Sequence, residues 1–269
     1  MNDYILKVEN VSYSVTDKKF FSDIQSVEIL KNISFEVERG KVLGISGQSG
    51  SGKSTMAKIL AGIYLTFSGT IKQNFIKDWN KIIPNPVQIL FQNDGDLINP
   101  SRTVNDVLNE AFELKLKKNK SYSAEIDSVF KQFDINPNLK ERKGSQLSGG
   151  EKQRVALARI VIIEPEILIL DEPFSSQDVE SQLNILNLIY KIKVNFGLTV
   201  ICVSHDLNIL KRFSDNLVIM FDGKNVESGV TQDVLNNPVN DYTKFLLSAQ
   251  SLNLSEKEIH TFYNKYEQN

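Results

Sequence analysis

The segment GQSGSGKST, Gly47–Thr55, follows a short β-type run, KVLGISG, and precedes MAKILAGI, which carries helical spacing. Glycines at this density let backbone N–H groups converge on phosphate oxygens, and the N-terminus of the following helix adds a favourable dipole. With Gly47, Gly52, Lys53 and Ser54 at phosphate-loop spacing, the lysine can reach β- and γ-phosphates and the serine hydroxyl can ligate Mg²⁺. A second candidate is ILILDEP, where Asp171 and Glu172 end an apolar strand. In open α/β sheets ligands bind beyond the carboxyl ends of the strands, so both carboxylates can face the same phosphates. Asp171 then suits the metal shell, and Glu172 suits orienting and polarising an attacking water. An isolated Asp-Glu pair would be an ordinary strand end; beside a phosphate loop it reads as chemistry.

Two further polar residues, Gln92 after VQILF and His205 after ICVS, fall near strand ends on the same inferred edge. Gln92 could ligate the metal or position water, and His205 could hydrogen-bond a γ-phosphate. Taken singly, each is simply a polar residue closing a strand. The stretch LSGGEKQR, Leu147–Arg154, poses a different question. Ser148, Gly149, Gly150 and Glu151 read as a capped helix start, with a hydroxyl at the cap and an acid in the first turn. Glycine in a first helical turn is costly relative to alanine, which suggests that something approaches this backbone closely. On these residues alone, an ordinary capped surface helix is the plainer reading.

The elements that must position these groups follow from periodicity. ILKVENVSYSV and KNISFEVE alternate as half-buried strands, with TDKKFFSDIQ between them as a charged loop or hairpin extension. SGTIKQN and VQILFQND give two more strands, separated by a loop around Trp79, Pro84 and Pro86. From Thr103 to about Ile163 the pattern becomes helical, as TVNDVLNEAFELKLKK, SAEIDSVFKQFDI and GEKQRVALARIVII. That section is expected to be a helical subdomain, about residues 97–162, inserted in an α/β core. EILILDEP and LTVICVSHD are strands joined by the crossover helix VESQLNILNLIYKIKVN, so the sheet should be mostly parallel. DNLVIMFDGKNVESG should close it with a hairpin turn at Asp222-Gly223. Residues 1–250 are expected to form the main domain and 251–269 a short helical tail, with Ile259, Phe262, Tyr263 and Tyr266 on related turns.

Composition excludes several classes. The chain of 269 residues has 31 basic and 33 acidic side chains, a net charge of -2, so no global field points to nucleic acid or an anionic membrane surface. Its apolar runs stop short of the roughly 18 residues needed to cross a bilayer. MNDYILKVEN shows no basic segment followed by an apolar stretch, so secretion is not expected and a cytosolic location is. The single cysteine, Cys202, lies in LTVICVSH and reads as a buried small hydrophobe. His260 has no other His or Cys nearby, which argues against a metal role.

Together these motifs resemble the nucleotide-binding subunit of an ATP-binding cassette (ABC) transporter. GQSGSGKST matches the Walker A loop, Gln92 the Q-loop, LSGGE the family signature, ILILDE the Walker B strand, Asp178 in SSQD the D-loop and His205 the switch histidine. All occur in family order. The resemblance implies a P-loop NTPase (RecA-like) α/β core with an antiparallel β subdomain and an inserted helical subdomain. It implies ATP contacts from Gly47, Gln48, Ser49, Gly50, Ser51, Gly52, Lys53, Ser54 and Thr55, and Mg²⁺ held through Ser54, Gln92 and Asp171. Catalysis would fall to Lys53, Gln92, Glu172 and His205. Tyr13 lies where the family has an aromatic that stacks on adenine; a strand aromatic is normally core, and Phe20 or Phe21 competes for that place. Ser148, Gly149 and Gly150 would contact the γ-phosphate held by another subunit, so LSGGE becomes half of an intermolecular site, and Asp178 would be a further nucleotide-binding residue.

LFQNDGDLINPSRTV, DEPFSSQDVESQLNILNLI and GVTQDVLNNPVNDYTKFLLSAQ resemble the oligopeptide, dipeptide and nickel importers, especially the second of their two ATPase subunits. Gln48 stands for a usual glutamate, SSQD for the common SALD and Phe174 for a usual threonine; none removes an atom that hydrolysis requires. The cysteine-rich extension of many peptide-importer ATPases is absent, which leaves peptide versus nickel or metal chelate open. Implied partners are a second ATPase subunit, homo- or heterodimeric, two membrane permease subunits and, indirectly, an extracytoplasmic solute-binding protein, with no nucleic acid. The implied location is the cytoplasmic face of the membrane. The segment from Gln92 through Asn99 to Thr103 is the candidate permease contact, although Leu97 and Ile98 could equally be subdomain core. Two alternatives stand: a family ATPase assisting a soluble complex such as the phosphonate-degrading lyase, or an interaction module that binds ATP without turnover.

Overall fold

The computed structural model describes residues 4–17, 25–76, 85–91, 97–116, 122–174 and 178–250. In chain order these form β1 (Tyr4–Asp17), β2 (Gln25–Glu38), β3 (Val42–Ser46), α1 (Lys53–Leu60), β4 (Ser68–Gln73) and β5 (Val87–Leu90). Then follow α2 (Val104–Leu116), α3 (Ser123–Gln132), α4 (Gly149–Ile162), β6 (Ile167–Asp171), α5 (Val179–Phe196) and β7 (Thr199–Val203). The described chain closes with α6 (Leu207–Phe213), β8 (Asn216–Phe221), β9 (Lys224–Val230), α7 (Thr231–Asn236) and α8 (Asp241–Gln250).

β1 and β2 pair antiparallel from Tyr4↔Glu38 to Asp17↔Gln25, and β4 joins the other edge of β1. Phe20, Phe21, the loop around Trp79 and the tail 251–269 lie outside the described residues. The larger sheet runs β5-β6-β7-β3-β8-β9, parallel from β5 to β8, with β9 antiparallel at the edge. Its central strands are apolar except at a strand end, where Ser46, Asp171 and Thr199 fall, because both faces are covered. In β6, Leu168 and Leu170 face one core while Ile167 and Ile169 face the other; in β7, Val200 and Cys202 oppose Ile201 and Val203 in the same way. The second core also holds α1 and the inner face of the antiparallel sheet, so α1 is packed between the two sheets. Cys202 is fully buried, and burial pushes its thiol far above the ordinary range, which leaves it an inert hydrophobe.

The helical segment packs α2 on α4, with α3 against α2. Leu97 and Ile98 are buried among these helices at 6% and 2% exposure, which makes them core there. At the far edge, Asp222 and Gly223 take φ of 45° and 74°, the positive pair that a two-residue hairpin turn favours. A Cβ on Gly223 would come within 2.5 Å of the Ile29 carbonyl oxygen, and Lys31 N–H donates to Gly223 O at 2.8 Å. This turn therefore docks β2 onto the parallel sheet and fixes Ile29 beside the end of β3.

Candidate functional site

The loop between β3 and α1 is built by close packing rather than by side-chain hydrogen bonds. Gly47 has φ of 150°, and a Cβ there would lie 2.1 Å from the Met220 carbonyl oxygen. Gly52, with φ of 98°, caps α1 without any side-chain hydrogen bond, and a Cβ would meet Leu30 Cδ2 at 2.6 Å. Gly52 therefore leaves the first N–H groups of α1, where an anion is favoured, uncapped by a side chain of its own. Lys53, 7% exposed, folds over the loop and donates to Gly47 O and Gln48 O, each at 2.8 Å. Burial lowers its pKa, and the nearby Glu172 and Asp171 charges oppose that shift. Ser51 Oγ is buried in the loop with no hydrogen-bond partner among the described residues.

β6 ends beside this loop. Ser54 Oγ donates to Asp171 Oδ1 at 3.0 Å, and the Asp171 carboxyl, 6% exposed, is raised by burial against the pull of Ser54 and two lysines. Two hard oxygen donors meeting in a site that resists an uncompensated negative charge suit a small divalent cation such as Mg²⁺. Glu172 follows with φ of 51°, a left-handed conformation that is rare for a residue with a side chain and is held by its N–H donating to Val203 O at 2.9 Å. The turn sends its carboxylate across to the end of β7. There Oε1 accepts the His205 N–H at 3.0 Å, and Oε2 lies 2.9 Å from His205 Nδ1.

Gly47, Gln48, Ser49, Gly50, Gly52, Lys53, Ser54 and Thr55 line an open pocket of about 810 Å³ together with Glu172, His205, Ile29 and Leu246. The expected phosphate-loop residues other than Ser51, which is buried in the loop, are thus brought together with the second carboxylate and the histidine, and Asp171 is bonded to Ser54 at the pocket wall. Gln92 lies outside the described residues. Tyr13 is not in the lining: its ring stacks on Tyr64 with centroids 5.3 Å apart, and it pairs across the sheet with Leu30, next to Ile29. Asp178 caps α5, accepting the Ser181 N–H at 2.7 Å, which holds its carboxyl below the ordinary value. Ser148, Gly149 and Gly150 are exposed at the start of α4 and away from the lining. There Ser148 N–H donates to Glu151 Oε2 at 2.8 Å and Ser148 Oγ accepts the Glu151 N–H at 3.4 Å, forming a capping box.

Sequence reasoning missed Ile29 and Leu246 as pocket residues, since each is an ordinary apolar position in its own element. It also missed Gln153, which is 3% exposed and donates through Nε2 to Pro173 O at 2.7 Å, tying α4 to the turn after Glu172. A buried glutamine in an apolar helix run was the available signal.

Residues 30–175 match the family described as ABC transporter. The dipeptide transport ATP-binding protein DppF of Haemophilus influenzae is 32% identical over 244 residues, covering 88% of this chain and 75% of that protein. The oligopeptide transport ATP-binding protein OppF of Streptococcus mutans is 33% identical over 253 residues, covering 91% and 81%. Among solved structures, cbiO1 from Clostridium perfringens, part of the ABC transporter complex cbiONQ, aligns with a TM-score of 0.72 at 28% identity, covering 98% of this chain and 100% of that one. The ATP-binding cassette MJ0796, solved as a dimer in a post-hydrolysis state bound to ADP and Pi, aligns with a TM-score of 0.70 at 26% identity, covering 84% and 98%.

Proposed function

The chain belongs to the ABC transporter family and is one of its ATP-hydrolysing subunits; from that premise we propose that it drives import of short peptides through a pair of membrane permease subunits. One observation carries the residue assignments: the phosphate loop, Glu172 and His205 surround a single pocket, with Asp171 bonded to Ser54 at its wall. The backbone N–H groups of Gly50 to Thr55 and the Lys53 ammonium grip the phosphates. Ile29 lines the pocket and would meet the adenine; Tyr13, stacked on Tyr64, would have to leave that partner to do so. Water attacks the γ-phosphorus in line as the bond to the bridging oxygen breaks and ADP leaves, and Glu172 accepts the water proton. His205, in contact with the same carboxylate, is the γ-phosphate hydrogen-bond partner. Ser54 and Asp171, with Gln92, would hold Mg²⁺, which would neutralise charge on the phosphate oxygens. Positioning supplies most of the rate.

Ser148, Gly149 and Gly150 are proposed to close over the phosphate loop of a second cassette, with Asp178 at the same junction. Residues 1–250 act as the ATPase unit, the helical segment 97–162 faces the permeases, and 251–269 is an appended tail. No helix among the described residues is long and apolar enough to cross a membrane. Attachment to the cytoplasmic face is proposed to run through the permeases, with an extracytoplasmic solute-binding protein delivering the peptide. Proteoliposomes containing the chain, its second cassette and the co-encoded permeases should take up a dipeptide in the presence of ATP and its binding protein, and Lys53→Ala should abolish uptake. Uptake indifferent to Lys53 would defeat this reading.

A further inference from the structure

One helix reaches two loops of the pocket. Tyr242 in α8 is 1% exposed, and its Oη accepts the Gln48 N–H at 2.9 Å. Its ring packs on Phe221, with centroids 4.3 Å apart, at the end of the strand whose Met220 carbonyl abuts Gly47. Burial raises the phenol pKa against the effect of the Gln48 contact, so this is a bond to a neutral hydroxyl. At the other end of α8, Gln250 uses both atoms of its amide: Oε1 accepts the Leu207 N–H at 3.1 Å, and Nε2 donates to the His205 carbonyl. Leu246 lies between them and lines the pocket. Tyr242, Leu246 and Gln250 recur at a spacing of four and share one face of the helix.

We propose that α8 is a strap that positions both loops: Tyr242 sets the phosphate loop through Gln48, and Gln250 sets His205 through its carbonyl and the following turn. Neither side chain meets the reacting atoms, so both are positioning residues, and the proposal rests on the reading of the pocket as the ATP site. Because the two ends grip different parts of the machinery, their losses separate. Tyr242 governs how tightly ATP is held, and Gln250 governs how fast it turns over.

The test is titration of the full chain with ATP and Mg²⁺, followed by calorimetry, backbone amide exchange and phosphate release. Lys53→Ala is the control for the site: if it binds ATP as tightly as wild type, the reading of the pocket fails and the strap falls with it for that separate cause. With that control satisfied, Tyr242→Phe, which keeps the ring, is expected to bind ATP about fivefold more weakly and to speed exchange of the Gln48 amide. Gln250→Ala should keep ATP affinity within about twofold, speed exchange of the Leu207 amide and slow hydrolysis about fivefold. That slowing should vanish in a His205→Ala background, as it must if Gln250 acts through His205. Wild-type affinity in Tyr242→Phe, or a Gln250→Ala cost undiminished when His205 is already alanine, overturns the proposal.

Discussion

The start of α1 and the start of α4 are both glycine-bearing helix N-termini, yet the reasons for their glycines differ. At α1 the chain itself demands them: Gly47 and Gly52 have positive φ and stand against Met220 and Leu30 with no room for a side chain. At Gly150 of α4 nothing among the described residues does. A Cβ on Gly150 would meet no atom within 4 Å, and the adjacent amides are served by the Ser148–Glu151 box. The first terminus is completed from within, by Lys53, Asp171, Glu172 and His205; the second is a capped, exposed end. A glycine with no internal neighbour to avoid points to a neighbour from outside, and this is the physical content of the proposal that a second cassette closes there.

Glu172→Gln tests the self-contained end most severely. It keeps an acceptor for the His205 amide but no base, so hydrolysis should fall by at least ~10²-fold with ATP binding retained, measured by phosphate release beside calorimetry. Next come the paired glycines. Gly52→Ala meets both a clash and an unfavourable φ, so thermal denaturation should show a loss of about 1–3 kcal/mol. Gly150→Ala should instead raise stability by a few tenths, about 0.5 kcal/mol, because alanine is the better helix former. The same variant should weaken ATP-driven association of the cassettes in sedimentation and slow their hydrolysis. If Gly150→Ala leaves association and turnover untouched, the contrast between the two termini loses its functional meaning. Ser148→Ala removes the cap and should cost about 1 kcal/mol even before any partner is considered.

The smallest effect concerns Asp171. Burial raises its carboxyl above the ordinary 3.8, so the folded chain holds that proton more tightly than the unfolded one. Its contribution to stability is then fully present below 3.8 and is lost as the pH rises through the raised folded value. Asp171→Asn removes that loss, and the nucleotide-free chain should melt about 2 °C higher at neutral pH while losing its response to Mg²⁺. A lower melting temperature would mean that the Ser54 bond and the lysines outweigh burial.

What was legible in the sequence was what is local. The phosphate loop shows itself because glycine spacing, a preceding strand and a following helix lie in one short stretch. Ser148 and Glu151 announced their capping box in the same way. The α/β alternation also carried, since strands buried on both faces, such as ILIL before Asp171, have to be apolar on both faces. What depended on strand neighbours was not legible. Glu172 meets His205 only because β6 lies beside β7 and the backbone turns left-handed at Glu172. Tyr13 finds Tyr64, and Tyr242 finds Gln48, across separations that no periodicity records. Asp178 illustrates a different limit: its position between a loop and a helix announces a cap as readily as a nucleotide contact, and in this chain it does cap α5.

Cys202 has a practical consequence. The chain's only thiol sits at the centre of the sheet, fully buried and held protonated, so maleimides and disulfide reagents should leave the native protein unmodified. A single cysteine introduced at an exposed position such as Glu141 would then take a fluorophore or spin label alone, with no need to remove the native one. Each protomer becomes its own ruler mark, and the distance between identical marks would report how two copies approach as ATP is added.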